Sequence, residues 1–200
     1  NAQIRSEGGR FNINFILMSQ DKVLLRQIFD HWGIDLDVSS EITDALMDWI
    51  DSDDDIQLNG AEVDWYEGQG FLNRPFNRPF YDLDEMRLVR GMEIVEAANP
   101  RWRDWFTVWS SGGLDVNEAP AEYLAIAADG NIEEAIALVE IIDGPDGIRR
   151  TEDDQKLGSA DFMNQMGMSP DEQAQFGARF NPQAEQVTRI ESIGFSGSVR

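Results

Sequence analysis

Apolar residues recur at helical spacing through most of this 200-residue chain and alternate with polar ones only near its two ends. That pattern limits the fold more than any other feature, because helices repeat every 3.6 residues and strands every two. "GRFNINFIL" (9–17) sets Phe11, Ile13 and Phe15 between polar neighbours and predicts a strand; "QVTRIESIGF" (186–195) predicts another. Between them, Leu24, Leu25, Ile28, Phe29 and Trp32 share one face of a predicted helix that Gly33 ends. Ile42, Leu46, Trp49 and Ile50 repeat the arrangement, and Ile132, Ile136, Val139 and Ile142 form the expected buried stripe of a later helix. The expectation is an α+β chain in which a mostly helical block interrupts two strands of one sheet.

Punctuation residues divide the block. Pro75 and Pro79 exclude regular helix from "FLNRPFNRPFYD" (71–82). Asp82 and Glu85 have the spacing of a capping box for a short helix that Gly91 closes. "PRWRDWFTVWSSGG" is rich in Trp and suits either core or a partner surface. Residues 118–142 read as two helices joined at Asp129-Gly130, with Asn117 and Asn131 as N-caps and Glu134 completing a capping box. Two short helices are expected near 159–166 and 169–178.

Charge excludes whole classes of function. The formal net charge is −22, from 38 acids against 16 bases, so the surface repels phosphate backbones and anionic lipid, and attracts cations or basic patches. A helix-hairpin-helix protein that handles DNA is the alternative reading of 118–142. It needs basic residues at the hairpin, yet no Lys or Arg lies between Arg103 and Arg149. There is no cysteine, which removes disulfides, thiolate metal sites and thiol nucleophiles. The sole histidine, His31, reads as an ordinary helix residue, and no G-x-S-x-G elbow is present. Nothing in the sequence points to an enzyme.

Two acidic loops could hold a cation. "DSDDDIQLNGAE" (51–62) places Asp51, Asp53, Asp55 and Glu62 at positions one, three, five and twelve of an EF-hand loop. Position six should be Gly and is Ile56, which favours a structural turn in which Asp51 and Glu62 cap or pair. "DGPDGIRRTEDD" (143–154) surrounds Thr151 with Asp143, Asp146, Asp153 and Asp154 and has Gly144 and Gly147 to curl the backbone. It reads equally as a Ca²⁺ loop or as a hydrated polar turn.

Taken in order, "GRFNIN", "DWIDSDDDIQLNGAEVDWY", "RPFYDLDEMRLVRGM", "LDVNEAPAEYLAIA" and "RIESIGFSGSVR" resemble the GspK minor pseudopilin family (general secretion pathway protein K) of the bacterial type II secretion system. The resemblance implies a pseudopilin α/β domain, here residues 1–18 and 184–200, with a helical domain inserted at 19–183. It implies a structural role at the tip of the secretion pseudopilus, alongside minor pseudopilins of the I and J types, supporting assembly, protein export across the outer membrane and contact with secreted proteins. It implies an inner-membrane anchor, through an N-terminal helix absent from this chain, with this portion in the periplasm. Calcium binding in the family places the expected Ca²⁺ on Asp143, Asp146, Thr151, Asp153 and Asp154 with the carbonyl of Ile148. The loop of Asp51, Asp53, Asp55 and Glu62 is the second candidate.

Overall fold

The computed structural model describes residues 2–181 and 183–192. Two compact units account for them: one spans 11–108, and the other joins the described parts of 1–10 and 109–200. Helical residues 109–181 therefore group with the chain's first strand and not with 11–108.

In the unit of 11–108, the two-residue strand β2 (Phe11–Asn12) pairs in parallel with β3 (Phe106–Thr107). The strand predicted over 9–17 stops there. Asn12 accepts a hydrogen bond from the Phe15 N–H and starts helix α1 (Ile13–Met18), in which Ile13, Ile16 and Leu17 are buried. The alternation was real as spelling, but an N-cap and an i, i+3, i+4 stripe outweighed it. Helix α2 (Lys22–His31) is capped by Asp21 and closed by Gly33 at φ +77°. Helix α3 (Leu36–Ile50) packs on α2 and is buried almost all round from Ile42 to Trp49. A short helix α4 (Val63–Gly68) follows the first acidic loop. Residues Leu83–Leu88 form a 3₁₀ turn and not an α-helix. Asp82 caps it, but Glu85 accepts from the Tyr81 N–H, so the expected box does not close. Gly91 begins helix α5 (Met92–Ala98) as a left-handed N-cap, where sequence reading had it end a helix. Trp102 and Trp105 are buried.

In the other unit, β1 (Ala2–Ser6) pairs antiparallel with β4 (Thr188–Ser192). The C-terminal strand is present within the described residues, but its partner is 2–6. The expectation of one sheet joining 9–17 to 186–195 is corrected accordingly, and the rest of "RIESIGFSGSVR" lies outside the described residues. Helices α6 (Ala121–Ala128) and α7 (Ile132–Ile142) pack as a hairpin turned at Asp129, φ +52°. Asn131 caps α7 through the Glu133 N–H, while Pro120, not Asn117, precedes α6. The buried stripe of α7 is Ala135, Leu138 and Ile142; Ile132 and Ile136 are exposed. Helices α8 (Ser159–Gln165) and α9 (Pro170–Phe176) stand where expected, α9 with a closed capping box of Ser169 and Glu172.

Candidate metal centre

Helix α3 carries Asp44 and Asp48 one turn apart in its fully enclosed stretch. A buried acid is tolerated only with donors around it. Asp44 takes the Lys22 ammonium at 2.6 Å and the Asn59 backbone N–H at 3.1 Å. Asp48 accepts from the N–H groups of Gln57, at 3.1 Å, and Ala61, at 2.8 Å. The second half of the loop is thus hung on acids of the helix before it. Gly60 makes the approach possible: a Cβ there would lie 2.7 Å from Asp48 Cγ and nearer still to Oδ2.

This suspension brings three carboxylates together. Asp51 occupies the C-cap of α3, and Glu62 the residue before α4. Oxygens of Asp48, Asp51 and Glu62 all lie within 4.8 Å of one another. Glu62 is 5 % exposed, and neither of its carboxylate oxygens has a hydrogen-bond partner; Asp51 Oδ1 is buried without one as well. Among the described residues, no Lys or Arg pairs with Asp51 or Glu62.

Three negative charges so placed repel strongly. At an effective dielectric of about 20, two unit charges at this spacing cost about 3 kcal/mol. Burial first, then Asp48 and the acids that follow, push Asp51 up to about 6. Burial, then Asp48 and Asp51, push Glu62 up to about 7; the Val63 N–H opposes this without reaching hydrogen-bond geometry. Asp48 is raised too, mainly by burial, against the pull of its two backbone donors. Without a cation the cluster holds on to protons. With one, the orphaned oxygens gain the partner they lack. A set made only of carboxylate oxygens suits a hard ion such as Ca²⁺ and gives a soft metal no ligand.

The expected site residues separate on inspection. Asp51 and Glu62 meet, but Asp53 and Asp55 face solvent, with the Asp55 N–H donating to Asp53 Oδ1 at 3.0 Å. The loop is not an EF-hand. Its third inward carboxylate is Asp48, outside the twelve-residue window that spacing singled out. An acid on the enclosed face of "ITDALMDWI" was the signal available.

The loop of 143–154 turns its acids on itself. Asp143 pairs with the Arg149 guanidinium at 2.6 Å, and Asp146 accepts from the Ile148 N–H at 2.8 Å. Asp153 accepts from the Thr151 hydroxyl at 2.6 Å and the Asp146 N–H at 3.2 Å, which hold its carboxyl below the usual range. Asp154 accepts from the N–H groups of Arg150 and Thr151. The α6–α7 hairpin is pinned from inside: buried Arg179 donates to the Ala127 carbonyl at 3.1 Å. His31 is exposed at the end of α2, its ring 5.5 Å from that of Trp105.

Residues 9–102 match the family model described as type II secretion system (T2SS), protein K. Type II secretion system protein K of Dickeya chrysanthemi is 39% identical over 72 residues, 36% of this chain and 19% of that protein. The protein K of Klebsiella pneumoniae is 44% identical over 57 residues, 28% of this chain and 17% of that protein. The matched stretches thus span about a fifth of those relatives' length. Among solved structures, a chain of the GspK-GspI-GspJ complex from the type 2 secretion system of enterotoxigenic Escherichia coli is similar in fold. Its TM-score is 0.68 at 15% identity, covering 92% of this chain and 65% of that one. The matched family segment, 9–102, contains all of Asp44, Asp48, Asp51, Gly60 and Glu62.

Proposed function

We propose that this chain, whose residues 9–102 match the type II secretion system protein K family, is part of a minor pseudopilin at the tip of the secretion pseudopilus. The family match carries the reading. On it, the protein supports pseudopilus assembly and protein export across the outer membrane. Its partners are minor pseudopilins of the I and J types, and secreted proteins are met at the same tip. Its role is structural and not catalytic. On this reading the β1–β4 ladder belongs to the pseudopilin α/β domain, and the insertion expected at 19–183 is divided between the two compact units. On the same reading this portion sits in the periplasm and an N-terminal helix anchors the protein in the inner membrane. Among the described residues no helix is long and apolar enough to cross a membrane.

Co-expression of the full-length protein's periplasmic part with I- and J-type partners tests this. One ternary species in size-exclusion chromatography is expected; elution as three separate proteins overturns it.

The same proposal includes a hard divalent cation, Ca²⁺ first among them, held by Asp48, Asp51 and Glu62. The ion supplies positive charge to a buried, unpaired acidic cluster and ties the end of α3 to the start of α4. Support comes from the orphaned oxygens of Asp51 and Glu62. The loop of Asp143, Asp146, Ile148, Thr151, Asp153 and Asp154 is the second candidate. A ligand that binds only the native state, at a hundredfold over its Kd, adds about 2.7 kcal/mol. For a unit of this size that is a rise of roughly 10 °C or more in Tm. Calorimetry in Ca²⁺ and in EDTA is the measurement. A shift that survives Glu62→Gln but not Asp153→Ala moves the ion to 143–154; no shift at all removes it.

A further inference from the structure

The loop of 71–81 is built from a tandem repeat, Asn73-Arg74-Pro75-Phe76 and Asn77-Arg78-Pro79-Phe80. Both Asn residues adopt positive φ, 60° and 49°. Their fates differ. The second copy is anchored: Phe80 is buried, its ring stacks on Trp49, and its N–H and C=O are both held by the Asn14 amide at 2.8 Å. The first copy is seated less deeply: Pro75 is buried and the Phe76 ring lies 5.0 Å from that of Trp49, yet Phe76 keeps an exposed edge, and its neighbours Phe71, Leu72 and Tyr81 are exposed.

Guanidinium groups interleave with these rings. Arg74 lies 4.5 Å from the Phe71 ring centroid, and Arg78 lies 3.7 Å from that of Tyr81. Such stacking holds each fork rigid while leaving its edge free to donate. Arg78 already gives one bond to Glu85. Arg74 has no carboxylate partner among the described residues. Locally the charge is inverted: 71–81 carries two Arg and no acid, in a chain with 38 acids and 16 bases. Exposed rings braced by arginine are the composition of interface hot spots.

We propose that the 71–81 loop docks an acidic, partly apolar segment of another protein, with Arg74 taking a carboxylate and Phe71, Leu72, Phe76 and Tyr81 the apolar side chains. Charge complementarity selects this occupant. A purely apolar partner would leave Arg74 unanswered. A nucleic acid or an anionic bilayer is a wide polyanion, and the surrounding net charge of −22 repels it. A short acidic segment feels mainly the charges within a Debye length, about 8 Å at physiological salt. The inference does not depend on the pseudopilus role, and its test uses this chain alone.

The probe is a fluorescein-labelled peptide that alternates Asp with Leu and Tyr, followed by anisotropy against the folded protein. Expected are saturable binding that weakens with salt, loss of about tenfold or more in affinity for Arg74→Glu, as one charge-assisted contact provides, and no binding of the same peptide with Asn for Asp. Leu72→Ser, at a residue 70% exposed, should weaken binding without lowering Tm and serves if Arg74→Glu is unstable. Absence of binding overturns the proposal, as does equal affinity for the Asn peptide or for Arg74→Glu. Concentration-dependent dimerisation in sedimentation velocity, abolished by Arg74→Glu, overturns it in favour of a second copy.

Discussion

Residues 51–62 and 143–154 are both twelve-residue stretches with five acids, and both use a glycine where the chain passes close to a carboxylate. At Gly60 that carboxylate is Asp48 of the preceding helix; at Gly144, with φ +70°, a Cβ would meet Asp153 of the same loop. The second stretch contains Arg149, Arg150 and the Thr151 hydroxyl, and its aspartates spend themselves on these and on local N–H groups. The first contains no base. Its loop N–H groups are taken by Asp44 and Asp48, so Asp51 and Glu62 are left over, facing each other. Acid density is alike in the two. What distinguishes a candidate ion site from a closed polar turn is the supply of donors.

The contrast can be broken in several places. Asp48→Ala has the largest expected effect, because it strips the Gln57 and buried Ala61 N–H groups of their acceptor; about 3 kcal/mol should be lost in chemical denaturation. A loss below about 1 kcal/mol would mean the loop is held by something else. Gly60→Ala should cost about 2 kcal/mol, since the added methyl must displace Asp48. Glu62→Gln should change sign with conditions. In EDTA it relieves repulsion and stabilises by about 1–2 kcal/mol; in Ca²⁺ it forfeits the ion and melts below the parent. Stabilisation in both buffers would remove the cation from this cluster. Asp153→Asn should leave the Ca²⁺-dependent shift intact, and Asp53→Ala should move Tm in neither buffer.

Much of the helical framework was legible because periodicity is a property of many residues at once. Helices α2, α3, α8 and α9 follow their apolar faces and caps. Short-range choices were less so. Asn12 could end a strand or begin a helix, and only the surrounding packing decided for α1. In α7 the large Ile132 and Ile136 drew the expected stripe to one side, whereas the hairpin with α6 brings Ala135 and Leu138 inward. A helix apolar on most faces contains several stripes, and size does not choose among them. In the candidate site, Asp51 and Glu62 were visible through their spacing. Asp48 was not, because a template of loop positions does not look back into the helix before it. The Arg74 loop was seen only as a break in helix, since proline announces what a segment is not.

The suspension of residues 57–62 from α3 also divides the first loop by its tolerance for altered length. Ser52 to Ile56 face solvent, so an inserted residue there has room to bulge outward. From Gln57 onward each step is registered: Gln57 and Ala61 against Asp48, Asn59 against Asp44, Gly60 beneath the Asp48 carboxylate. One added or deleted residue in that half would carry Glu62 past its two neighbours and open the acidic cluster. The loop is therefore half slack and half ruler.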